Sequence, residues 1–149
     1  MAKRIIVVED NRLTQEELVE AIPAEFPSVE VIAVSTEREF RDRVPEFRRS
    51  PPAVFLIDVM LRWDNPRPVP VEPPQSVKED SYYRAGLRCA DLVFQMQDLR
   101  RVPVVLFTAL DRRDVARDAE RALPRHVKDV VMKDGSFVPL FRAVGKYLK

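Results

Sequence analysis

Glycine is scarce in this chain. Its 149 residues hold only Gly86, Gly135 and Gly145. None of these spacings allows GxGxxG or GxxxxGK[ST], so the dinucleotide and P-loop fingerprints are excluded. Cysteine and histidine occur once each, as Cys89 and His126. An internal disulfide is therefore impossible, and a Cys/His zinc site nearly so. Charge of one sign is also missing: 25 Lys+Arg stand against 24 Asp+Glu. That balance gives no electrostatic case for a nucleic-acid partner. Long apolar runs are absent too. The opening run, Ile5 to Val8, is too short for a signal h-region or a membrane span. The expectation is a cytoplasmic protein with no membrane partner. What remains is a chain 46% apolar and 33% charged, which reads as one globular domain spanning 1–149. Any metal it takes should be a hard cation held by carboxylates.

The apolar residues fall in short runs separated by amphipathic stretches. Ile5 to Val8, Val29 to Val34, Ala53 to Ile57, Pro103 to Phe107 and Val127 to Met132 read as five strands. Continuous runs of this kind suit strands covered on both faces of a parallel sheet. Between them lie helical patterns. The first has a capping box at Thr14-Gln15-Glu16-Glu17 and is limited by Pro23 and Pro27 to two or three turns. The others cover Thr36 to Arg49, Tyr82 to Leu99, Asp111 to Leu123 and Ser136 to Leu148. Five β-α units in series predict an α/β fold with helices on both faces of the sheet. One stretch stands apart. Arg62 to Ser81 holds five of the thirteen prolines and lies where short connections are usual. It reads as an insertion within the domain, beginning on the edge where the third strand ends.

Ligands of open α/β sheets bind beyond the carboxyl ends of the strands. Here the first strand runs into Glu9-Asp10, the third into Asp58, the fourth into Thr108 and the fifth into Lys133. The topology would gather three carboxylates, a hydroxyl and an ammonium on one edge. Three carboxylates in close proximity repel one another and call for a cation. Mg²⁺, with its preference for oxygen, is the obvious one. Lys133 is a point charge suited to a phosphate or to Asp58. Asp58 is then a credible carboxylate nucleophile forming an acyl phosphate.

At these residues the chain resembles the receiver domains of two-component response regulators. The resemblance is carried by Ile5-Ile6-Val7-Val8-Glu9-Asp10-Asn11, Phe55-Leu56-Ile57-Asp58-Val59-Met60-Leu61, Val104-Val105-Leu106-Phe107-Thr108-Ala109 and Val130-Val131-Met132-Lys133. It implies a (βα)₅ flavodoxin-like sandwich with sheet order 2-1-3-4-5. It implies Asp58 as phosphoacceptor, Glu9, Asp10, Asp58 and the Met60 carbonyl as Mg²⁺ ligands, and Thr108 and Lys133 as contacts to the phosphoryl group. The implied donor is a phosphohistidine on a histidine kinase or phosphotransfer protein. Four positions depart from the family pattern. Glu9 stands where Asp is commoner and Arg62 where Pro is usual. Asp134 follows Lys133 in place of the Pro that carries a cis peptide, and Val130 occupies the place of the aromatic switch residue.

The function expected is phosphoryl acceptance with output through protein–protein contact, because no output segment follows within these 149 residues. The chain would catalyse only its own phosphorylation and hydrolysis. The alternative is a receiver-like interaction module that works without phosphorylation, and a homodimer stays open. An aspartyl phosphatase is disfavoured because Met60 occupies the place of its general acid. The resemblance also implies that Met60 and Leu110 flank the approach of a hydrolytic water; neither can orient one, so a slow loss of the phosphoryl group is expected. Other polar and aromatic residues read as structural. His126 is an exposed loop residue, Cys89 a half-buried thiol, and the Arg112, Arg113, Arg117 and Arg121 face a solvated one. Trp63, Tyr82 and Tyr83 flank the insertion, as anchors to the body or as binding anchors near the site.

Overall fold

The computed structural model describes residues 2–80, 84–109, 113 and 127–149. Five parallel strands form one sheet: β1 (Lys3–Val8), β2 (Val29–Val34), β3 (Val54–Ile57), β4 (Val104–Thr108) and β5 (Val127–Met132). Their spatial order is β2-β1-β3-β4-β5. The crossover elements are α1 (Arg12–Glu25), α2 (Glu37–Arg49), the single-turn α3 (Gln75–Lys78) and α4 (Ala85–Gln95), with α5 (Val138–Gly145) after β5. This is the expected α/β architecture. The expected Asp111–Leu123 helix with its arginine face, Leu110 and His126 lie outside the described residues except for Arg113, as do Tyr82 and Tyr83.

The alternation of side chains along the strands divides the interior into two cores. Ile6, Val8, Phe55, Ile57 and Leu106 face α2 and α4, where Phe40, Phe47 and Val93 meet them. Ile5, Val7, Leu56, Val105 and Phe107 face the other way, toward Leu18 and Ile22 of α1 and Leu140 and Val144 of α5. Phe40, Phe47 and Phe55 pack as a trio with ring centroids 5.6–5.8 Å apart. Both sheet faces are covered, which is why the strands carry continuous apolar runs.

Helix limits correct the sequence expectation in three places. The cap of α1 is Asn11, whose side chain accepts from the Thr14 amide at 3.0 Å. Thr14 is therefore inside the first turn and is not the cap. The helix then runs through Pro23 to Glu25, four turns in all, closed by Phe26 N–H to the Ile22 carbonyl at 2.8 Å. Pro23 sits in the last turn and removes one hydrogen bond, while buried Leu18 and Ile22 hold the face behind it. α4 stops at Gln95, short of the expected Leu99, and α5 is shorter at both ends than the pattern Ser136–Leu148. Cys89 is fully buried in the α4 face, and burial pushes its thiol well above the usual range. It is more deeply inert than a half-buried thiol.

The proline-rich segment is tied down at both ends. The first two amides of α2 have no partner within the helix. Glu37 N–H donates to the Arg62 carbonyl at 3.1 Å and Arg38 N–H to the Trp63 carbonyl at 2.9 Å. Trp63 donates its indole N–H to the Val71 carbonyl at 3.0 Å and lies under the Arg41 guanidinium. At the far end Val77 is buried, and Arg88 bridges Asp80 (2.8 Å) to Glu37 (2.7 Å). The Glu37 side chain is wholly buried, with Arg41 as its second partner at 3.0 Å. Removing one partner of a buried pair leaves the other charge uncompensated. Arg88→Met is therefore expected to lower stability by about 3 kcal/mol, read as a shift in the urea midpoint at unchanged m. Glu37→Gln in the same background should recover part of that loss.

Candidate functional site

The strand ladders extend one residue past their ends and so fix the polar residues that follow. Glu9 N–H donates to the Val34 carbonyl at 2.9 Å, and Asp58 N–H to the Val8 carbonyl at 2.9 Å. Lys133 N–H donates to the Thr108 carbonyl, also at 2.9 Å. Gln15 of α1 steadies the first loop from the side, donating to the Glu9 carbonyl (3.0 Å) and to Ser35 Oγ (3.1 Å). Three separate strands thus deliver Glu9, Asp58 and Lys133 to one edge with little freedom to move apart.

Carboxylate oxygens of Glu9, Asp10 and Asp58 lie within 4.8 Å of one another. Lys133 Nζ donates to Glu9 Oε1 at 2.8 Å and to Asp58 Oδ2 at 3.0 Å. Asp58 Oδ1 accepts the Met60 amide at 3.3 Å. The sequence-chosen Glu9, Asp10, Asp58, Met60 and Lys133 line an open cleft of about 420 Å³ together with Ala109. Thr108 is fully buried at the end of β4, one residue before Ala109. Lys133 also stands 5.6 Å from the centre of the Phe107 ring.

The electrostatics follow from burial. Glu9 is 2% exposed. Burial, then the hydrogen bond and like charge of Asp58, push its carboxyl up to about 8, and Lys133 offsets this only in part. Burial works against the Lys133 ammonium, but the charges of Asp58 and Glu9 outweigh it and raise its pKa. Lys133 pairs with Glu9 and Asp58, and Asp10 completes the set of acids. Oxygen donors of this number and charge fit a small hard cation such as Mg²⁺.

Sequence reasoning missed three contributors. Gly86, in the first turn of α4, approaches the loop after β3 so closely that a Cβ there would lie 2.1 Å from the Asp58 carbonyl oxygen. Its amide donates to the Val59 carbonyl at 2.8 Å. An isolated glycine in a helical pattern was the available signal. Arg62 holds Asp10 by its backbone N–H (2.9 Å) and its guanidinium (3.5 Å). The Glu37–Arg88 pair links residues 51 apart, and no local pattern announces it. The peptide between Lys133 and Asp134, where Asp134 replaces the family's usual Pro, is trans.

No protein-family model matches the chain, and no curated protein sequence does. Solved structures match over nearly its whole length. The phosphorylated cyanobacterial phytochrome response regulator RcpA is 21% identical with a TM-score of 0.68, covering 98% of this chain and 91% of that one. The receiver domain of a Pseudomonas aeruginosa sensor histidine kinase, with magnesium in its active-site cleft, is 18% identical with a TM-score of 0.63, covering 99% and 98%. The bacteriophytochrome response regulator AtBRR is 25% identical with a TM-score of 0.63, covering 99% and 93%. The fold is the flavodoxin-like one of response-regulator receiver domains, with the sheet order expected.

Proposed function

We propose that this receiver-fold chain accepts a phosphoryl group on Asp58 in a Mg²⁺-dependent reaction. The observation that carries the reading is the placement of Asp58. Its carboxylate lies at the floor of an open cleft, beside two further carboxylates and 3.0 Å from the Lys133 ammonium. Glu9, Asp10, Asp58 and the Met60 carbonyl would hold the metal. When bound, Mg²⁺ would neutralise the carboxylates and stabilise charge on the transferring phosphoryl oxygens.

The chain's own residues do the rest. An Asp58 carboxylate oxygen attacks phosphorus of a phosphohistidine on a histidine kinase or phosphotransfer protein. The P–N bond breaks, the acyl phosphate forms, and the imidazole leaves with the electron pair of that bond. Lys133 supplies a fixed positive charge where the phosphoryl oxygens arrive. Thr108, at the end of β4, is the hydroxyl that would meet them. The usual switch position holds Val130, half-buried against the α2/α4 core. Output therefore rests on protein contacts other than an aromatic rotamer change. The chain is read as one domain, with 62–81 as an insertion beside the cleft. Among the described residues no helix is long and apolar enough to cross a membrane.

The test is incubation with acetyl phosphate and Mg²⁺ followed by intact mass. Wild type is expected to gain one phosphoryl group and Asp58→Asn none. Equal labelling of both would overturn the assignment of Asp58. No labelling of wild type, with beryllofluoride and Mg²⁺ still perturbing nothing by NMR, would leave a phosphorylation-independent interaction module.

A further inference from the structure

We propose that Arg62 is an internal competitor of the divalent cation at Asp10, and so couples occupancy of the metal site to the seating of the 62–80 segment. The proposal rests on the reading of Glu9, Asp10 and Asp58 as metal ligands, and goes beyond it.

Both contacts from Arg62 fall on the same carboxylate oxygen. Its amide donates to Asp10 Oδ2 at 2.9 Å and its Nε lies 3.5 Å from that oxygen. Asp10 is the most exposed of the three acids, its side chain 21% accessible, and thus the one a side chain from outside the sheet can reach. A cation drawn to the carboxylates reduces the charge that Arg62 sees, and Arg62 reduces the charge the cation sees. The competition is mutual because linkage is reciprocal.

What Arg62 carries with it makes the competition consequential. Its carbonyl accepts the first amide of α2, and the next carbonyl, of Trp63, accepts the second. Asp64 is held by Arg38 at 2.9 Å. The segment therefore enters its course over the surface through one short stretch, Arg62 to Asp64, that touches a metal ligand at one end and α2 at the other. Trp63 is the only tryptophan in the chain, which gives this stretch its own optical reporter.

The test compares wild type, Arg62→Gln and Arg62→Lys by calorimetric Mg²⁺ titration, with Trp63 emission followed in parallel. Gln retains the amide contact and removes only the charge; Lys restores the charge. The Arg62 side chain is half-exposed, so the effect belongs to the range of exposed ion pairs. Arg62→Gln is expected to bind Mg²⁺ about two- to fivefold more tightly, with the gap closing at high ionic strength. Arg62→Lys should stay near wild type. Wild-type Trp63 emission should change with the midpoint of the calorimetric curve, and by a smaller amplitude in Arg62→Gln. Equal or weaker Mg²⁺ binding by Arg62→Gln, or a silent Trp63, would overturn the coupling while leaving the metal site intact. Absence of Mg²⁺ binding by all three proteins would overturn the metal reading and the coupling with it.

Discussion

Gly86→Ala is expected to destabilise the protein by about 3 kcal/mol and to disable the cleft. Helix propensity alone argues the opposite, since alanine gains about 1 kcal/mol over glycine inside a helix. Sterics decide the sign. The added Cβ would stand 2.1 Å from the Asp58 carbonyl oxygen and 2.7 Å from Val59 Cα. Both are backbone atoms, pinned by Asp58 N–H to Val8 and Gly86 N–H to Val59, so neither can swing aside as a side chain would. Either α4 lifts from β3 or Asp58 is pushed out of register with Lys133. Chemical denaturation reads the first outcome, and phosphorylation by acetyl phosphate reads the second. Gly145→Ala is the control. There the Cβ meets only the Phe26 ring at 3.5 Å, an ordinary contact, and stability should hold or rise. A Gly86→Ala protein as stable and as readily phosphorylated as wild type would refute the close approach.

The second large effect belongs to the acids. Glu9→Gln with Asp10→Asn removes two of the three clustered carboxyl groups and leaves Asp58 paired with Lys133. Mg²⁺ affinity is expected to fall at least about 100-fold, because ligand charge sets the strength of a hard-cation site. The metal-free protein should gain about 1–2 kcal/mol from relief of repulsion. The gain depends on pH in a defined direction. Folding raises the Glu9 carboxyl from 4.5 to about 8, so the folded state holds a proton the unfolded chain releases. The associated stability is complete below about pH 4.5 and lost as pH rises toward 8. Wild type without metal should weaken across that window, and the double variant should not. Its advantage is therefore greatest above pH 8. Thermal melts in chelator at pH 5, 7 and 9 measure this, and parallel pH profiles for the two proteins would remove the argument.

The sequence by itself determined the strands, the sheet class and most of the cleft. Buried parallel strands need apolar side chains on both faces, so Ile5 to Val8 and Val104 to Phe107 were legible as unbroken runs. A polar residue directly after such a run must stand at the sheet edge, which brings Glu9, Asp10, Asp58 and Lys133 together. Helix limits were less legible. Pro23 reads locally as a stop, yet burial of Leu18 and Ile22 against the sheet outweighs one lost hydrogen bond. Tertiary structure alone decided what depends on separation in sequence. The seating of Gly86 on Asp58, the hold of Arg62 on Asp10, and the Glu37–Arg88–Asp80 bridge join residues whose types carry no local signal of one another. Periodicity reports which face a residue occupies, because burial is a property of one side chain. It cannot report which partner waits there, because a hydrogen bond or a steric limit belongs to two groups brought together only by the packed chain.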